Sequence, residues 1–106
     1  MEKQALESDR IFPNYDDAIH QEPAQQDRIQ RSIEHNLSMK SMLSSGYSGK
    51  VIGTTGNVYL VSLNKCTCQD FKRRRLPCKH MYYLARKSKR CEILNDEYGY
   101  SVLKSK

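Results

Sequence analysis

Apolar positions along this chain change their period several times, and each change marks an element. Residues 1–22 carry isolated apolar side chains (Leu6, Ile11, Phe12, Tyr15, Ile19) with no sustained repeat, and Pro13-Asn14 punctuates a turn. That stretch reads as a loosely ordered N-terminal extension, with a short docked helix around Asp16 to His20 as the alternative. Glu22-Pro23 then offers a helix start, with proline at the first helical position, where its missing N–H costs nothing. From Ala24 to about Leu43, Ile29, Ile33 and Leu37 recur at i, i+4 and i+8, widened by Met39, Met42 and Leu43. Arg28, Arg31, Glu34 and Lys40 fall mostly off that stripe, and Gly46 after Ser44-Ser45 is placed as a left-handed cap. The spacing predicts an amphipathic helix within residues 23–46 whose apolar face packs on the rest of the chain.

Beyond it the period shortens to that of strands. Lys50 to Thr54 and Val58 to Leu63 are rich in β-branched and aromatic residues and are joined by Thr55-Gly56-Asn57, a hairpin signal. Tyr59, Val61 and Leu63 share one face of the second strand and offer a surface to the preceding helix. From Cys78 to Arg90 the pattern is helical again, with Pro77 at its entrance. Cys78, Met81 and Ala85 lie near one another with His80 and Leu84 beside them, while Lys79, Tyr83, Arg86 and Arg90 form an outward stripe. Adjacent Tyr82 and Tyr83 are not expected to face inward together. Residues 91–106 form a tail with strand-like Tyr98, Tyr100, Val102 and Leu103 around Gly99, which the pattern does not place.

Composition makes a core of this material marginal. Of 106 residues 38% are hydrophobic and none is tryptophan, and the mean hydropathy is −0.79. So small an apolar content calls for a staple. The four cysteines can supply it as disulfides or as metal ligands. Met1 to Arg10 is charged and polar, unlike a signal peptide, and no stretch approaches the ~20 apolar residues that span a bilayer. A reducing cytoplasmic or nuclear setting, not secretion and not a membrane, is the expectation, and there clustered Cys and His read as metal ligands. Cys66 and Cys68 are also too close for an easy mutual disulfide.

Cys66-Thr67-Cys68 and Cys78-Lys79-His80 place three thiols and an imidazole within fifteen residues, the donor set of a closed structural zinc site. Within each pair the ligands alternate, so both project to one side of an extended or turning backbone. One zinc ion held this way contributes ~10–16 kcal/mol of apparent binding free energy, which is folding free energy. Three thiolates and a dication leave one net negative charge, which Lys65, Lys72 to Arg75 and Lys79 can offset.

The net charge of +6 is unevenly spread. Residues 1–64 carry −2, residues 65–90 carry ten basic groups against the single Asp70 and so +9, and residues 91–106 carry −1. A field concentrated in this way points to a polyanionic partner. The candidate contacts are Lys72, Arg73, Arg74 and Arg75 in the loop between the ligand pairs. Lys79, Tyr83, Arg86, Lys89 and Arg90 extend them along the following helix.

The stretch CTCQDFKRRRLPCKHMYYLA, preceded by VYLVSL, resembles the SWIM zinc-finger family, whose pattern is Cys-x-Cys, a variable spacer, then Cys-x-His. The likeness extends to Asp70-Phe71 after the first pair and Leu76-Pro77 before the second, and it spans residues 47–90. The resemblance implies a ββα arrangement around one zinc ion and a non-catalytic module for DNA binding or protein–protein contact. The expected fold class is thus a small α+β zinc-bound domain: an amphipathic helix, a β-hairpin, a zinc loop and a C-terminal helix. The expected partners are nucleic acid, DNA above RNA, or alternatively a protein in a DNA-processing or recombination assembly. No small-molecule substrate is expected. Four ligands close the tetrahedron, and Asp70 is the sole acid near it, so no enzyme activity is expected. Phe71 reads as a small core residue under the metal loop, Cys91 as a half-buried thiol past the helix, and His20 and His35 as solvated.

Overall fold

The computed structural model describes residues 17–43 and 48–105. The extension before Asp17 and the cap expected at Gly46 lie outside the described residues. A short 3-10 turn, Ala18–Gln21, precedes helix α1, Pro23–Glu34. Three antiparallel strands follow: β1, Ser38–Met42, β2, Ser48–Ile52, and β3, Val58–Ser62, in the order β1-β2-β3. Two helices, α2, Gln69–Arg74, and α3, Lys79–Lys87, come next. A second hairpin of β4, Cys91–Asn95, and β5, Ser101–Ser105, follows them. The α+β class expected from the sequence holds.

The hairpin and the last helix stand close to where the pattern put them. In the β2–β3 turn the N–H of Gly53 donates to Asn57 O and that of Gly56 to Gly53 O. Gly56 takes φ 91, a conformation that a Cβ would strain. Val61 and Leu63 are buried and Tyr59 packs against the core, as their shared face requires.

The long first helix is corrected: α1 stops at Glu34. His35 turns extended at φ −74, ψ 152, and Ser38–Met42 pairs with β2, with Met39 opposite Val51. Leu37 and Met39 are two residues apart, so the same apolar positions serve a strand, and the open edge of β2 satisfies the backbone. Ile33 is consequently 46% exposed while Ile29 is fully buried.

The buried face of α1 is instead largely polar: Gln25, Arg28, Ile29 and Ser32, at i, i+3, i+4 and i+7. Arg28 therefore lies on the packed face, which the sequence expectation did not give it. Helix α1 packs on α3, and the sheet and β4 cover other sides of α3. As a result His80 to Ala85 are all buried, and Tyr82 and Tyr83 both face protein, contrary to expectation. A helix enclosed on several sides has no single inward stripe.

His20 is likewise fully buried rather than solvated, with Nδ1 2.7 Å from the Tyr82 hydroxyl. The tail is a hairpin docked on α1. The side-chain amide of Gln26 accepts from Ser101 N (2.7 Å) and donates to Ser101 O (2.8 Å), as a neighbouring strand would.

Candidate metal centre

The first ligand pair is positioned by β3. The chain reverses after Ser62, whose N–H donates to Lys65 O at 2.8 Å, and Cys66 bridges back to Val61. Thr67 continues this pairing: its N–H donates to Leu60 O, and its Oγ1 accepts from Leu60 N. Alternation along this extended clip leaves Thr67 exposed and buries Cys66 and Cys68. Cys68 then serves as N-cap of α2, its sulfur accepting from Phe71 N at 3.5 Å. Phe71 is buried beneath this turn, as expected. Arg75 closes α2 in the left-handed conformation, and buried Pro77 leads into Cys78, the N-cap of α3. His80 sits in the first turn of α3.

These elements bring all four predicted ligands together. Nδ1 of His80 lies 3.8 Å from the sulfur of Cys66 and 3.8 Å from that of Cys78. The four ligand atoms all fall within 4.8 Å of one another, and every one of these residues is buried. A tetrahedron with zinc–sulfur arms of ~2.3 Å has edges of about 3.8 Å, so the donors fit a single zinc ion.

Their acid–base chemistry agrees. Hydrogen bonds from Cys66 and then Cys78 hold the Cys68 thiol far below its usual range. Sharing with Cys68 pushes Cys66 up to about 12, and Cys66 and Cys68 together push Cys78 up. Buried thiols this close do not all ionise unless a cation replaces their protons.

A supporting layer surrounds the ligands. The Tyr59 ring lies over the His80 imidazole, with centroids 4.4 Å apart and 31° between planes. A Cβ at Gly53 would stand 2.8 Å from Cε2 of that tyrosine. Gly53→Ala should thus push Tyr59 off the imidazole and lower stability by ~1–3 kcal/mol, read as the shift in a denaturant midpoint. An unchanged midpoint would mean that the ring yields without cost.

Asp70 is gripped by Arg28, whose Nε and Nη2 donate to its two carboxylate oxygens at 2.6 and 2.8 Å. This bond holds the Asp70 carboxyl below its ordinary value of 3.8. A depressed carboxyl stabilises the fold fully above its unfolded pKa and loses that contribution as pH falls below it. Asp70 is 40% exposed, and screening limits the loss from Arg28→Met to about 1–2 kcal/mol. The stability gap between parent and variant should be full at neutral pH and shrink as pH falls below 3.8. A gap independent of pH would assign the effect to packing alone.

The predicted nucleic-acid contacts separate into two groups. Lys72, Arg73, Arg74 and Arg75 are all exposed on α2 and its cap, and Lys89 is exposed after α3. Arg74 stands 3.5 Å from Asp70, and Arg75 lies over the Phe71 ring. Lys79 is half-buried, with Nζ 2.9 Å from Nδ1 of His35, itself half-buried rather than solvated. Desolvation and then the Lys79 charge lower the His35 pKa, which suits a neutral ring accepting from the ammonium. Arg86 and Arg90 are half-buried, and Arg86 donates to Ser32 O. Tyr83 is corrected: its ring is buried and covered by Arg86 and Lys87, so it presents no stacking face.

Sequence reading missed Gln25 and Arg28 as neighbours of the site, because polar residues at helical spacing carry no apolar signal. One hint was present. Asp70, alone among cations and next to core residue Phe71, needed a cation from elsewhere in the chain.

The fold and the site together define a zinc finger: a small α+β domain closed on one zinc ion by a Cys3His set. Residues 55–89, roughly a third of the chain, match the family model of the SWIM zinc finger. Cys66, Cys68, Cys78 and His80 stand at the ligand positions of its Cys-x-Cys…Cys-x-His pattern. No curated protein and no solved structure matches the chain. No helix among the described residues is long and apolar enough to cross a membrane.

Proposed function

We propose that this chain is a non-catalytic, zinc-stabilised module that binds nucleic acid, DNA in preference to RNA, through α2 and the start and end of α3. The observation that carries the reading is the state of the charges on α2. Its one acid, Asp70, is engaged by Arg28, while Lys72 to Arg75 stand exposed on a helix pinned at one end by a metal ligand and in the middle by Phe71. Four cations held by a rigid support grip phosphates without the entropy cost of ordering a loop. Lys89 and the half-buried Lys79, Arg86 and Arg90 extend the field. The preference for DNA comes from the resemblance to SWIM fingers. Sequence specificity is expected to be low, because the exposed side chains of α2 and its cap are mostly cations suited to phosphate contacts, which carry no sequence information.

A salt-titrated binding assay with single- and double-stranded DNA tests this. If about six phosphates are neutralised, log affinity should fall against log salt with a slope near −5. Changing Arg73, Arg74 and Arg75 together to Glu should abolish binding while zinc content stays at one per chain. Salt-insensitive affinity, or full binding by the triple variant, would sink the proposal. The second reading, an adaptor that docks on protein, is favoured by the exposed apolar side chains Met42, Leu43 and Leu60 on the sheet. Under that reading partner retention survives the charge reversal.

A further inference from the structure

The outer side of the three-stranded sheet carries a groove of about 560 Å³, within the range of pockets that take small ligands and side chains. Met42, Leu43 and Leu60 line it at 41%, 60% and 56% exposure, with Lys50 and Lys65 beside them. Exposed aliphatic side chains gathered in one concavity mark a contact surface. The electrostatics of the region are one-signed: from Asn36 to Gln69 the chain has Lys40, Lys50 and Lys65 and no Asp or Glu. An occupant must therefore be apolar with a negative flank. Nucleic acid fits poorly, because the described lining residues include no aromatic ring on which a base could stack.

A surface of the required kind lies elsewhere on the same chain. The turn of the β4–β5 hairpin holds Asp96 and Glu97, with Tyr98 at 79% exposure, Tyr100 at 50% and Leu94 at 44% beside it. The turn is stiff. Asp96 Oδ1 accepts from the N–H groups of Tyr98 and Tyr100, both at 2.9 Å, and Asp96 N donates to Tyr100 O at 2.9 Å. Two tyrosines on a preorganised turn bind with little entropy to lose, and tyrosine anchors are over-represented where interfaces are strongest.

We propose that the sheet groove receives the β4–β5 turn of a second copy of this chain, Tyr98 entering among Met42, Leu43 and Leu60 with Glu97 near Lys50 and Lys65. The contact is head to tail: each copy offers a groove and a turn, so the association continues beyond two copies unless it closes into a ring. It uses none of Lys72 to Arg75 and stands apart from the nucleic-acid reading. Copies strung together would also present several basic helices at once, raising avidity for a long polyanion.

The test is sedimentation velocity on the full zinc-loaded chain, nuclease-treated, over a range of concentrations. The weight-average mass should climb from the 12.4 kDa of one chain as concentration rises. Leu60→Glu in the groove or Tyr98→Ser in the turn should each lower the association constant by about tenfold or more. Mixing these two variants should restore association that stops at two chains, since one intact groove and one intact turn remain. Glu97→Lys should weaken association, and Lys50→Glu with Lys65→Glu in the partner copy should recover it. The substituted side chains Lys50, Leu60, Lys65, Glu97 and Tyr98 are all exposed, and unchanged zinc content and ellipticity verify each fold. A strictly monomeric chain overturns the proposal, as does association untouched by both single variants or not restored by mixing. Loss of association in the variant with Arg73, Arg74 and Arg75 changed to Glu would trace it to nucleic-acid bridging and overturn it too.

Discussion

Stripping zinc from the purified chain with a strong chelator should unfold it, with loss of helical ellipticity and amide dispersion, and zinc should restore both. The expected effect is the largest of any single perturbation, because ~10–16 kcal/mol of metal affinity feeds directly into folding while small domains hold only ~5–15 kcal/mol in total. The ligands explain why nothing else compensates. Cys66 bridges back onto β3, Cys68 caps α2 and Cys78 caps α3, so one site ties three elements together. In the metal-free chain buried thiols must share protons, with Cys68 held low and Cys66 and Cys78 held up. Cys78→Ser should act like chelation at ordinary zinc concentrations, since a hydroxyl is a poor substitute for a thiolate. Metal analysis should find one zinc per chain before treatment. A chain that holds no zinc, or keeps its ellipticity after chelation, would falsify the metal-centred fold.

Tyr82→Ala should cost about 4 kcal/mol or more, near the top of the range for emptying a buried aromatic site. Tyr82 has no exposed surface, and its hydroxyl joins three segments. It accepts from Gln25 Nε2 at 3.0 Å and lies 2.7 Å from His20 Nδ1. Gln25 Nε2 also donates to Pro77 O at 3.0 Å, directly before ligand Cys78. The polar chain then runs on through Arg28, which donates to Gln25 Oε1 at 3.0 Å and grips Asp70. Burial pushes the Tyr82 hydroxyl pKa up, so it stays protonated throughout the neutral range. Tyr82→Phe keeps the ring and deletes the hydroxyl, and should cost about 1–3 kcal/mol. The two variants, compared by denaturant unfolding with zinc present, separate packing from hydrogen bonding. Equal losses would mean that the hydroxyl network carries the whole effect; no loss in Tyr82→Phe would mean that it carries none.

The parts legible from residues alone were those whose signal is local. Metal ligands announce themselves by type and spacing, because the chemistry of thiolate and imidazole does not depend on what packs around them. The β2–β3 hairpin was visible because strand period and a glycine turn are properties of a few consecutive residues. The basic run on α2 was visible as charge, although not as a helix: the cap that starts it is the sulfur of Cys68, whose role as a ligand hid its role as a cap.

What tertiary contacts decided was which of several permitted uses each residue took. Leu37 and Met39 suit a helix or a strand, and the open edge of β2 selected the strand. Gln25, Arg28 and His20 look like surface residues until Tyr82, Pro77 and Asp70 supply partners 42 to 62 positions away. Tyr83 was outward on an isolated helix and is buried on one enclosed by α1, the sheet and β4. Cys91, expected half-buried, is 1% exposed at the head of β4, and burial raises its thiol to about 11. The division has one physical cause. Covalent pattern and ligand chemistry are set within a few residues, whereas burying a polar group is favourable only when its partner is already in place, and that partner comes from the assembled fold.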